Sequence, residues 1–209
     1  MRVLAACALA MLSLATVSSA DPIDFDSDPL GSKPQGWTSD DSPIVHFYDT
    51  NPLIPPSNNG LVVVQVGVGN NALGVLTNTD LSGLVMNFDQ HMNALSFQFG
   101  NDDPALIGPG DVAVLKVFNG LTLVGMTVIP LNNPNMLIDE SIGIVAPNFD
   151  NALFYYGNSN LLPFTRDGLR VGLIEVVDNI NYRVPEPSLL ALSGLGALVV
   201  AWRRRRKAA

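Results

Sequence analysis

Leu95-Ser96-Phe97-Gln98-Phe99 alternates apolar and polar side chains over five residues, the two-residue period of a strand with one face buried. A helix would scatter those three apolar side chains around its surface, so the run predicts β structure. The same texture recurs outward from it. Short runs rich in β-branched or aromatic residues occupy 44–48, 61–68, 84–88, 94–99, 112–118, 121–129, 142–146, 152–156, 169–177 and 180–182. Asn, Asp, Gly and Pro separate them, as in Asn101-Asp102-Asp103-Pro104 and Asn132-Asn133-Pro134. Asn119-Gly120, between two apolar runs, is the strongest hairpin signal. Helical periodicity is missing apart from an ambiguous piece at 76–85. Roughly ten strands with no alternating helices predict an all-β fold, an antiparallel β-sandwich of jelly-roll type.

Charge and cysteine content narrow the function classes. Cys7 is the sole cysteine, so a body that starts after it has neither a disulfide nor a thiol nucleophile nor a Cys-ligated zinc. Residues 21–183 carry five basic and eighteen acidic side chains, a net −13 against −8 for the whole chain. Such a body repels nucleic acid and anionic lipid and suits cations or neutral glycans. About 160 residues are enough for one domain with a sizeable core.

Both ends read as addresses. Met1-Arg2, the apolar stretch 3–17 and the small residues Ser18-Ser19-Ala20 form a secretory signal peptide over 1–20, with a helical core and cleavage between Ala20 and Asp21. Leu4-Ala5-Ala6-Cys7 resembles a lipidation box, but only four apolar residues precede the cysteine. At the other end Val184-Pro185-Glu186-Pro187 leads into fifteen uncharged residues, Ser188 to Trp202, and then Arg203-Arg204-Arg205-Arg206-Lys207. Fifteen helical residues span about 22 Å, less than the ~30 Å hydrocarbon core. Snorkelling basic side chains make up the difference and hold that end in the cytoplasm. This predicts a C-terminal transmembrane helix.

The ordered triplet of Pro-Glu-Pro, apolar span and basic tail resembles the PEP-CTERM sorting signal of bacterial secreted proteins. The resemblance covers 184–209 and leaves 21–183 as the domain it delivers. It implies recognition by an exosortase-type membrane protease, cleavage near Pro185-Glu186-Pro187, and a membrane-tethered intermediate on the way to the cell surface or extracellular matrix. Three stretches of the body, Ile23-Asp24-Phe25-Asp26, Leu95 to Gly100 and Val177-Asp178-Asn179-Ile180, resemble galactose-binding-like jelly rolls.

Candidate sites in the body are few. Asp24, Asp26 and Asp28 open like a calcium loop, yet Pro29 or Leu30 stands where an EF-hand needs glycine and Gln35 where it needs glutamate. In the jelly rolls that the body resembles, the first and last strands lie together. Asp24 or Asp26 would then meet Asp178 and Asn179 around a structural Ca²⁺, or all four would be solvated turn residues. Gly67-Val68-Gly69-Asn70-Asn71-Ala72 matches a dinucleotide fingerprint but leads into a Gly-, Thr- and Asn-rich stretch, not a helix, and reads as a loop closing a strand. His46 sits in a strand and His91 follows Asp89-Gln90 in an expected turn, and neither accompanies a nucleophile elbow. Trp37, Phe47, Tyr48, Phe154, Tyr155 and Tyr156 would serve either a sugar platform or the core. Neighbouring strand residues face opposite sides, so one of Tyr155 and Tyr156 is expected outside the core.

These readings point to an exported, non-enzymatic surface or extracellular-matrix protein, associated with exopolysaccharide or with copies of itself. The alternatives are a carbohydrate-binding module with a structural calcium ion and, second, a secreted hydrolase working through a carboxylate pair.

Overall fold

The computed structural model describes residues 21–50, 60–75, 83–100, 108–131, 137–163 and 176–185. Ten strands fill most of these: β1 Gly31–Lys33, β2 Trp37–Ser39, β3 Ser42–Asp49, β4 Leu61–Gln65, β5 Asn71–Val75, β6 Leu84–Gly100, β7 Val112–Asn119, β8 Thr122–Pro130, β9 Glu140–Gly157 and β10 Val176–Arg183. Every pairing is antiparallel, and no helix occurs among the described residues. The expected signal and membrane helices, the Ala20 side of the cleavage bond, Glu186, Pro187 and the basic tail lie outside the described residues. Among those described, no helix is long and apolar enough to cross a membrane.

Two long strands organise the rest. The first half of β6 lies between β3 and the second half of β9, with Phe88 opposite Val45 and Leu84 opposite Phe154. The second half of β6 lies between β10 and the first half of β9, with Phe99 opposite both Val177 and Glu140. Register shifts between Asn87 and Ala94 bend β6, and Pro147 with Asn148 (φ 48°) marks the matching bend in β9. Proline is tolerated there because a bulge leaves its missing N–H unneeded. One layer is therefore β2-β3-β6-β9-β7-β8 and the other β1-β4-β5-β10-β6-β9.

The layers close over one main aromatic core. Phe97 in one layer lies 4.9 Å, edge to face, from Phe154 in the other, although the ladder pairs Phe97 with Ile142 and Phe154 with Leu84. Phe99 and Tyr156 complete the cluster at 5.3–6.1 Å. Such pairs each add about 0.5–1.5 kcal/mol beyond the area they bury. Leu95, Phe97 and Phe99 are all buried, Ser96 is exposed and Gln98 half-buried, so the alternation is realised residue by residue.

Several expectations change in detail. Runs 84–88 and 94–99 are one strand, as are 142–146 with 152–156, because pairing such as Met92 with Phe149 carries the ladder around the bend. His91 lies in that bend inside β6, not in a turn between strands. Within the run expected at 61–68, β4 ends at Gln65. The glycine motif after it turns the chain into β5, which pairs back on β4 from Asn71 to Val75. The hairpin after β7 forms with Gly120-Leu121 as its loop, Asn119 pairing with Thr122 and Gly120 at φ 57°, as a type II′ turn requires.

Candidate functional site

The N-terminal segment crosses the last strand. Ile23 and Ile180 exchange two backbone hydrogen bonds of 2.9 Å, so the first and last parts of the domain do lie side by side. Beyond Val177, where β5 stops pairing with β10, Ile23 takes its place. The segment after Ile23 is held by polar side chains of its neighbours. Asp41 accepts from the backbone N–H groups of Asp24 and Phe25, and Asp26 accepts from Asn71 N–H at 2.8 Å. Asn71 Nδ2 donates towards the carbonyls of Phe25, Asp26 and Asp28 at 3.3–3.4 Å. Asp28 is buried against Ser39 and the Asp40 N–H, which accounts for it structurally.

At this crossing β10 bulges. Asp178 pairs with Gln98, but Asn181 pairs with Ser96, so one extra residue is fitted in and Asn179 takes φ 51°. The Asp178 carboxylate accepts from Asn179 N–H at 2.6 Å and Asn179 Nδ2 at 3.1 Å. Burial pushes the Asp178 carboxyl up to about 6, and the negative charges of Asp26 and Asp24 push it the same way, against the Asn179 N–H. Asp24, Asp26, Asp178 and Asn179 are thus brought into one electrostatic neighbourhood. Their hard oxygen donors are of the kind calcium takes. Among the described residues, though, no three His, Cys, Asp or Glu side chains group tightly enough to hold a metal.

The bulge also shapes a shallow groove of about 380 Å³ on the outer face of the β10-β6-β9 layer. Ser96, Gln98, Ser141, Asn179 and Asn181 line it, with Phe97 at its floor. Register explains the set: Ser96 and Gln98 are the outward positions of the alternating run, Asn181 stands opposite Ser96, and Ser141 opposite Gln98. Asn179 Nδ2 donates to Gln98 Oε1 at 2.8 Å, fixing both amides. The lining holds hydroxyls and amides and no charge. Sequence reasoning missed Ser96, Gln98, Ser141 and Asn181. Their outward polarity was visible, but three strands far apart in sequence had to be placed side by side before they became a surface.

The remaining candidates separate. His46 meets Asp89 at 3.1 Å and the Gly36 carbonyl at 3.3 Å on the outer face of the other layer, while His91 stands exposed in the bend. Of the two readings of the aromatic residues, the core is the one most of them fulfil. Phe47, Phe154, Tyr155 and Tyr156 are buried, while Trp37 and Tyr48 are half-buried. Tyr155 does face away from the main core, but segment 158–163 covers it: its hydroxyl donates to the Leu161 carbonyl at 2.8 Å among Val112, Val114 and Leu153. Tyr156 donates to the Gly100 carbonyl inside the main core.

Comparison with known proteins adds one firm result. Residues 183–206 match the PEP-CTERM protein-sorting motif. Among curated proteins none matches. The fold is similar to solved structures at low identity. CsCBM6-3 from Clostridium stercorarium, in complex with cellobiose, is 8% identical over 66% of this chain and 93% of that one, with a TM-score of 0.35. TmCBM61, in complex with beta-1,4-galactotriose, is 11% identical over 68% and 90%, with a TM-score of 0.39. The K2 cleaved adhesin domain of Lys-gingipain is 13% identical over 78% and 97%, with a TM-score of 0.38. Scores this low carry no argument about fold or ligand.

Proposed function

We propose that this chain, which ends in a PEP-CTERM protein-sorting motif, is an exported, non-enzymatic surface or matrix protein whose outer groove associates with neutral polysaccharide. The groove carries this reading. It offers five hydroxyl or amide side chains and no charge, on a body whose net charge of −13 repels anionic partners. Hydroxyls and amides both donate and accept, which matches the hydroxyl groups of a sugar chain. The jelly-roll arrangement expected from the sequence would present such a groove on a sheet face. Export implies a signal peptide over 1–20, processing by exosortase-type machinery and a membrane-tethered intermediate.

A second reading adds a structural Ca²⁺ held by Asp24, Asp26, Asp178 and Asn179. Burial is the main cause of the rise of the Asp178 carboxyl, but the charges of Asp26 and Asp24 add to it, and a cation there would relieve that added repulsion. One experiment addresses both readings. Residues 21–183 are applied to a glycan array in millimolar Ca²⁺ and in chelator, and their melting temperature is measured in each. Binding to a neutral glycan that Asn181→Ala and Ser96→Trp reduce at least about tenfold is expected. Both positions are exposed, and Asn181→Ala gives up one hydrogen bond, from Nδ2 to the Asn179 carbonyl at 2.8 Å, so melting should fall by no more than a few degrees. An array blank in both buffers sinks the groove reading, and an unchanged melting temperature sinks the calcium reading.

A further inference from the structure

The folded sheet and the sorting motif overlap. β10 runs to Arg183, and the match to the motif begins at that same residue. Three consecutive residues hold this exit. The Tyr182 hydroxyl lies 2.8 Å from Ser42 Oγ in the opposite layer, and its ring packs 6.2 Å from Phe88. Arg183 pairs with Ala94 in the ladder with β6. Val184 packs against the main core, and the compact unit ends there. No linker residue separates it from Pro185.

A protease takes its substrate as an extended strand whose backbone groups and alternate side chains it engages. Backbone already paired in a sheet, and a side chain already packed, are open to it only after local unfolding. We propose that Tyr182, Arg183 and Val184 form a lock that sets the upstream limit of what the processing protease can grip, so that the broken bond lies C-terminal to Pro185. In that step the acyl group upstream of the bond passes to water or to an acceptor amine, and the tail leaves with a new amino terminus. The residues just upstream of that bond can be gripped only when the end of β10 opens, and this opening limits the rate of processing. This proposal rests on the sorting reading, and Tyr182, Arg183 and Val184 act in it as positioning residues.

The test uses the full chain in a host that sorts it, with pulse-chase for the rate and intact mass for the mature C-terminus. A six-residue Gly/Ser spacer between Arg183 and Val184 leaves β10 whole and frees the motif, and processing should speed up by about fivefold or more. Tyr182→Phe, which removes only the hydrogen bond to Ser42, should accelerate it roughly two- to fivefold. A mature chain ending at Pro185 or later is expected in the natural sequence. Unchanged rates in both variants, or a mature C-terminus at Val184 or earlier, overturn the lock. A natural-sequence chain that keeps Arg203 to Ala209 in its surface form overturns the sorting reading and the lock together.

Discussion

At Asp178 the fold holds a carboxyl that is 6% exposed beside two other acids, and its raised value makes stability depend on pH. The folded-state value of about 6 stands above the ordinary 3.8, so the fold favours the protonated form. Below the ordinary value the penalty is absent; it grows as pH rises through 4 to 6 and is complete above that. In chelator, the free energy of unfolding should fall from pH 4 to pH 7 by an amount on the order of 1–3 kcal/mol, a fall that Asp178→Asn abolishes. An equal pH slope in the variant would show that other groups carry it. The meeting of Asp178 with the early acids was expected only through the resemblance to jelly rolls whose first and last strands lie together; the residue pattern by itself left them as turn carboxylates. The burial was not legible. It arises from a bulge in β10 and from the crossing of Ile23 by Ile180, and no local pattern encodes either.

Among the elements, β6 and β9 decide the architecture, and their aromatic side chains decide its stability. Phe154 touches Phe97, Phe99 and Tyr156 at once and is fully buried. Phe154→Ala should cost about 3–5 kcal/mol, read from urea unfolding, with no new partner able to fill the space. A loss below about 1 kcal/mol would mean that the layers repack around the gap. The strands themselves were largely legible, since the runs at 94–99 and 112–118 reappear within β6 and β7, and the run at 121–129 in β8 except for Leu121 in the hairpin loop. What escaped was their continuity. Asp89-Gln90-His91 looks like a turn and Pro147-Asn148 like a break between runs; neither is paired, and only Met92 opposite Phe149 carries the ladder across the gap. β1 and β2, three residues each, are too short for a period to show, and β5 was hidden in a glycine- and asparagine-rich stretch. Tyr155 escaped because the loop that covers it packs from outside the sheet.

Taken whole, the molecule splits its charge between a strongly acidic body and a basic tail. Without the tail, residues 21–183 carry a net −13, and self-repulsion acts across the body with only five basic side chains to offset it. Residues 21–183 should therefore melt several degrees higher in 200 mM than in 20 mM monovalent salt at pH 7, as a shorter screening length weakens that repulsion. A melting temperature that ignores salt would show the acids to be too dispersed to matter. The position of β10 has a further mechanical meaning. It is an interior strand, bonded to β6 along its length and to β5 at its start, and it leads directly into the residues that match the sorting motif. Tension drawn on that exit runs parallel to the strand and loads its rungs together in shear, instead of peeling them one after another. A domain pulled through this strand yields late, and when it yields it does so all at once.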